Sequence, residues 1–304
     1  MAGTSQESVF STLIAANHIL HYHKVVDAFG HISVRNPANP STFFLSGNLA
    51  PALVSGLQDL VEYRVEDAGA VREDAPRGYA ERFIHSEIYK KWPEVNSVVH
   101  AHAEDVIPFS ISSQPIRPVY HMAGVIGACV PVFDINNHYK PSDTTHNLLV
   151  TNSHLGVGLA NAFSPTSAFA KPINMIKSYF SSSDSPPPPF PPNPTVLMRG
   201  HGFTCVGTSI QESVYRSIYL CSNARVQTNA LLIQNTFNVR KLAVKSVDDV
   251  FPIDMKDITY LSDRECVDAW EANKAQAARP WKLWCKEVET SGLYSNQLGP
   301  PPGT

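Results

Sequence analysis

Two hydrophobic periods alternate along the chain. Between residues 6 and 23, Val9, Phe10, Leu13, Ile14, Ile19 and Leu20 recur at helical spacing and predict an opening helix. AFGHISVRNP and STFFLSG then alternate apolar with polar positions and end in turn residues, which predicts two short strands joined as a hairpin. Leu53 to Val71 reads as a turn followed by a further hairpin at the sheet edge. Phe83, Ile84, Ile88 and Tyr89 form the stripe of an amphipathic helix over 80–91, stopped by Pro93. VNSVVHAHA and ACVPVFDI read as strands, and Asn147 to Phe163 as a helix. Beyond residue 194, TVLMRGHGFTCVG gives strand, turn and strand. Ile210 to Leu232 follows as a strong amphipathic helix and Ser262 to Glu287 as a second.

Helices interleaved with strands imply an α/β domain, and the hairpin-length turns imply antiparallel pairs within its sheet. The one low-complexity run, SSSDSPPPPFPPNP over 181–194, suits a surface insertion, because proline supplies neither helix geometry nor amide donors. The expected organisation is a main domain over 1–245 carrying that insertion, then a helical extension and polar tail over 246–304.

At 43% hydrophobic and 17% charged over 304 residues, the composition is that of a globular protein. A net charge of −3 with scattered basic residues offers no electrostatic footprint for nucleic acid or an anionic membrane. No apolar run is long enough to span a bilayer, and the N-terminus lacks the pattern of a signal peptide. The five cysteines are odd in number and contain no C-x-x-C pair, so they read as reduced thiols. A cytoplasmic protein with a small-molecule partner is expected.

The apolar run VVHAHA changes the picture. His100 and His102 stand two residues apart, so on a strand both imidazoles leave the same face. Two convergent imidazoles are most of a transition-metal site, although a hydrogen-bonded pair at a strand end has the same spacing. His201, flanked by Gly200 and Gly202, is the best third ligand, with His31, His85 and His121 as alternatives. Three histidines with one open position make a catalytic metal site. His18, His21 and His23 read as surface or helix-end groups.

Glu81, the helix after it, the His100-x-His102 pair and the His201-Gly202 turn, in that order, resemble the class II aldolase/adducin family over about residues 9–227. The resemblance implies a three-layer α/β/α sandwich with a central, mostly antiparallel sheet, assembled as a homotetramer. It implies His100, His102 and His201 as metal ligands and Glu81 as the acid/base. Adducin-like members lack these groups, so an enzyme is expected here in place of a scaffold. Sugar-phosphate aldolases of the family carry an Asn in a G-N-x-S-x-R turn and a Ser-Ser pair before the glutamate. Here the turn is Gly30-His31-Ile32-Ser33-Val34-Arg35 and the pair is Tyr79-Ala80, which implies an unphosphorylated substrate.

GHISVR, ERFIH and VYHMAG are similar to a subgroup that includes decarboxylases of hydroxylated aromatic acids. Decarboxylation of a hydroxylated acid is therefore the leading expectation. Retro-aldol cleavage of an unphosphorylated substrate comes second, with a non-heme iron oxygenase or a non-catalytic scaffold behind it. Tyr120 would offer a catalytic hydroxyl, and His31, Arg35, Ser46, Gly47, His121 and Arg199 would bind substrate. His85 is expected to pack or hydrogen-bond. Zinc leads manganese, iron and cobalt as the ion, since affinity order alone does not choose among them.

Overall fold

The computed structural model describes residues 6–128, 130–165, 188–243 and 257–304. Its strands are β1 (His31–Arg35), β2 (Thr42–Ser46), β3 (Leu60–Arg64), β4 (Ser97–Ala101), β5 (Val132–Phe133), β6 (Thr195–Met198) and β7 (Gly202–Gly207). Its helices are α1 (Gln6–Tyr22), α2 (Arg82–Lys91), α3 (Ile107–Ile111), α4 (Ser153–Ala162), α5 (Ile210–Ala243), α6 (Asp263–Lys274) and α7 (Ala278–Glu289). The strands form one sheet in the order β3-β2-β1-β4-β7-β6-β5. Every neighbouring pair is antiparallel except β5 with β6.

Apolar side chains leave both faces of this sheet, so helices must cover both. Ile32, Val34, Val99, Ala101 and Phe203 pack with α1, α5 and α7 in one core. Phe43, Leu45, Val98, Val196 and Val206 pack with α2 and α4 in the other. The expected three-layer α/β/α sandwich with a mostly antiparallel sheet is the fold observed. The strand period of two then sends His100, like Val98, toward α2, while Val99 and Ala101 point to the α1 face.

Several expected boundaries move, each for a local reason. The edge hairpin after β3 shrinks to one bridge, Tyr63 with Ala70, closed by the exposed Arg64–Asp67 pair. β5 keeps two residues because Pro131 precedes it without an amide donor and the Asp134 side chain caps the next turn. α4 starts at Ser153, where the Asn152 side chain accepts the Leu155 amide. The long C-terminal helix is two helices, because Pro280 clashes with a continuous helix through Gln276. Of the Pro-rich run, 181–187 lie outside the described residues. So do Cys129 and the expected domain boundary at 245. Cys205, Cys221, Cys266 and Cys285 are free thiols, as expected.

The C-terminal segment packs into the core beside α1: Trp281, Trp284 and Val288 bury against it, and Ser11 Oγ donates to the Gly299 carbonyl at 2.8 Å. This docking corrects one expectation. His18, read as a surface or helix-end group, is 2% exposed, with Nε2–H donating to the Val54 carbonyl at 2.6 Å and the ring stacked on Tyr294.

Two predictions follow from this architecture. Gly202 opens β7 with φ +152°, and a Cβ there would lie 2.0 Å from the Ala101 carbonyl oxygen. Gly202→Ala is expected to destabilise the protein by about 2–3 kcal/mol, seen as a lower urea midpoint; an unchanged midpoint would refute the close approach. Burial lowers the His18 pKa to about 4. Its neutral form is favoured only in the fold, so stability present above pH 6.5 is lost as the pH falls toward about 4. One pKa unit is about 1.4 kcal/mol, so the contribution is on the order of 3 kcal/mol. His18→Gln keeps a donor for Val54 and should show a shallower loss of urea stability between pH 6.5 and 4; parallel profiles would refute the assignment.

Candidate metal centre

The register of β1 with β4 sets His31 directly opposite His100. His102 lies just past the end of β4, and His201 sits in the tight β6–β7 turn that ends at Gly202. Gly200, at φ +64°, bends that turn so that the imidazole faces back toward β4. Glu81 is the N-cap residue of α2, but its side chain does not cap the helix. Glu81 Oε1 accepts the Val150 amide at 2.9 Å, which leaves Oε2 free to face the histidines.

The result is a cluster. His100 Nε2 lies 3.1 Å from His102 Nε2, and His102 Nε2 lies 3.0 Å from His201 Nε2. Glu81 Oε2 is 3.7 Å from His100 Nε2 and 3.6 Å from His201 Nε2. All four ligand atoms fall within 4.8 Å of one another. His100 is fully buried and Glu81 is 7% exposed, whereas His102 and His201 are half-buried, so the cluster opens on their side.

The electrostatics follow from this packing. Burial favours protonation of Glu81, but the adjacent His100 and His201 and the Val150 amide outweigh it and bring the carboxyl down to about 2. Burial also pushes His100 well below the ordinary imidazole value and lowers His102. The site therefore sets a carboxylate beside His100 and His102, two imidazoles that burial disfavours from protonating. The Phe203 carbonyl, 3.0 Å from His100 Nδ1, takes that ring's single proton and leaves Nε2 as a bare lone pair. Three ring nitrogens this close leave room for at most one proton in each gap, and His201 Nδ1 is buried without a hydrogen bond. Three imidazoles and one carboxylate, with an open side, form a donor set suited to a divalent ion.

The structure separates the other expected site residues. His31 lies beside the cluster, its ring centroid 5.1 Å from that of His100. Arg35 does not face it: the guanidinium donates to the carbonyls of Pro40, Tyr89, Trp92 and Val95, closing the C-terminal end of α2. The Gly47 amide already serves the Asp59 carbonyl at 2.7 Å. Ser46 is fully buried, and its hydroxyl has no hydrogen bond. Tyr120 lies against α5, donating to Ser222 Oγ at 3.0 Å, and the His121 side chain is exposed. Arg199 pairs with Asp134 at 2.7 Å. Of these, His31 is the one whose ring packs directly on a histidine of the cluster.

The Val150 amide and the Phe203 carbonyl escape sequence reading, because a backbone group carries no residue signature. Asp134 escapes for another reason, since nothing local marks it as the partner of Arg199. Next to the cluster, an open cleft of about 880 Å³ reaches His102 between Asp27, Glu104 and Arg225. Phe29 is 63% exposed beside His102, with ring centroids 6.4 Å apart.

Known proteins share this sequence and fold. The chain is 45% identical over 285 residues to "Decarboxylase tropJ" of Talaromyces stipitatus, covering 94% of this chain and 96% of that protein. It is 27% identical over 143 residues to a 3,4-dihydroxyphthalate decarboxylase of Terrabacter, covering 47% of this chain and 46% of that one. An aldolase II superfamily protein from Pseudomonas syringae superposes with a TM-score of 0.62 at 17% identity, over 96% of both chains. L-fuculose 1-phosphate aldolase from Glaciozyma antarctica superposes with a TM-score of 0.57 at 18% identity, over 93% of this chain and 91% of that one. The profile of the class II aldolase and adducin N-terminal domain matches residues 11–228, and the chain belongs to that family.

Proposed function

We propose that this protein is a metal-dependent decarboxylase of a hydroxylated aromatic acid. The observation that carries the reading is the convergence of Glu81 on three imidazole nitrogens, with the open side toward a cleft. The relationship to tropJ narrows the reaction from carbon–carbon cleavage in general to loss of carbon dioxide. The positions that differ from the phosphate-binding pattern support an unphosphorylated substrate: Tyr79 spends its hydroxyl on the Leu49 carbonyl and lays its ring 4.6 Å from that of His31. The exposed Phe29 beside His102 suits a flat aromatic ring.

His100, His102 and His201 would hold the ion, with Glu81 facing it. When bound, a divalent ion would supply Lewis-acid withdrawal of electron density from oxygens on adjacent carbons of the acid. Glu81 Oε2 faces the cluster with Oε1 already held by the Val150 amide, so it is the group placed to take the proton of the substrate hydroxyl. As the bond to the carboxyl carbon breaks and carbon dioxide leaves, Glu81 returns that proton to the ring carbon, and solvent restores the hydroxyl. The Val150 amide holds Oε1 throughout, so the carboxylate need not reorient between the two transfers.

Zinc is the proposed ion, because three imidazoles with a carboxylate are a frequent zinc set; manganese, iron and cobalt remain chemically compatible. A homotetramer is proposed on family resemblance, and a cytoplasmic location in keeping with four free cysteines. Among the described residues, no helix is long and apolar enough to cross a membrane.

Two experiments test the reading. Elemental analysis of the purified protein is expected to find close to one zinc per chain, lost in a His100→Ala, His102→Ala double variant whose circular dichroism is unchanged. Metal-free wild type after reconstitution would refute the site. A panel of hydroxybenzoates is expected to give carbon dioxide, and Glu81→Gln should lower kcat by about 100-fold to 10,000-fold with metal retained. Release of an aldehyde in place of carbon dioxide would move the assignment to retro-aldol cleavage.

A further inference from the structure

Beside the cluster lies a second buried set of polar groups with no part in the scheme above. His31 is 3% exposed, Ser33 and His85 are fully buried, and Tyr89 is 2% exposed. They form a single file. His31 Nδ1 meets His85 Nε2 at 2.7 Å, His85 Nδ1 meets Ser33 Oγ at 2.6 Å, and Ser33 Oγ meets Tyr89 OH at 2.7 Å.

Each of these bonds holds one proton, so the direction of one sets the next. The file begins at Tyr89, whose hydroxyl has no other acceptor among the described residues. A buried O–H without an acceptor is costly, so Tyr89 donates to Ser33. Ser33 must then give its own proton to His85 Nδ1, its one other partner. Burial lowers the His85 pKa to about 3, so the ring is neutral and its proton sits on Nε2, donated to His31 Nδ1. That places the only remaining proton of His31 on Nε2. Among the described residues this nitrogen has no protein hydrogen-bond partner, and its ring lies 5.1 Å from that of His100, beside the cluster.

We infer that Tyr89, Ser33 and His85 are positioning residues that hold His31 as a neutral imidazole with its N–H at Nε2, a fixed hydrogen-bond donor to an anionic oxygen of the substrate. His31 is then neither a general base nor a further metal ligand, since both roles need a bare nitrogen there. A donor oriented before the substrate arrives costs no reorganisation when charge develops on that oxygen. The substrate half of this inference rests on the proposed decarboxylase reading; the tautomer does not.

The test is ring-nitrogen NMR of 15N-histidine-labelled protein, wild type beside Tyr89→Phe, His85→Gln and His85→Leu, each checked for folding by thermal melt. Wild type is expected to show the Nε2–H tautomer at His31. His85→Gln should keep it, because the amide NH2 donates to His31 and the amide oxygen accepts from Ser33. His85→Leu and Tyr89→Phe should show mixed tautomers. An Nδ1–H tautomer in wild type, or the same tautomer in all four proteins, would overturn the inference whatever reaction the enzyme performs. With an acid that is turned over, His85→Leu should raise KM about tenfold, with a smaller change in kcat, and His85→Gln should restore KM. Equal KM in the Leu and Gln variants would overturn the positioning role. If no acid is turned over, the decarboxylase reading fails and the NMR result still decides the tautomer.

Discussion

The constraint on which the site depends is the antiparallel register of β1 and β4. It sets His31 against His100 and Ser33 against Val98, and the strand period then sends His31, Ser33 and His100 to the face covered by α2. A slip of one residue in β1 would turn His31 and Ser33 away from α2 and toward the largely apolar α1 core. The register is held by the two apolar layers themselves. Ile32, Val34, Val99 and Ala101 must reach α1 and α5, and Val98 must reach α2 and α4. Hydrophobic burial thus places polar chemistry that hydrophobic burial alone would oppose.

That opposition is met by pairing. A fully buried imidazole is costly unless its nitrogens are satisfied, and here nearly every one is. His100 uses the Phe203 carbonyl, His85 uses both of its neighbours, and Glu81 uses the Val150 amide. Two ring nitrogens stand apart: His201 Nδ1 is buried without a partner while Nε2 faces the cluster, and His31 Nε2 has no protein partner among the described residues.

How much of this was legible in the sequence depends on the range of the signal. His100 and His102 are marked by spacing and His201 by its flanking glycines, while Glu81 is marked only by the family resemblance; the structure brings all four together. The sheet and its two helical layers also follow from local periodicity. What could not be read is long-range and made of backbone. The Val150 amide, the Phe203 carbonyl and the Asp134 partner of Arg199 have no local mark. Arg35 shows the opposite failure, since a guanidinium next to a candidate site looks like an anion clamp until the carbonyls at the end of α2 are seen to occupy it. His18 is similar: helical spacing near a terminus suggests exposure, and only the return of the C-terminal segment buries it.

Helix α2 carries Glu81 at its start and His85 one turn later, while Arg35 holds its far end. The carboxylate proposed to move the proton and the ring proposed to orient His31 are therefore mounted on one rigid rod. Any drift of that rod relative to the sheet would move both groups together, so a substitution that shifts α2 would change two parts of the site at once.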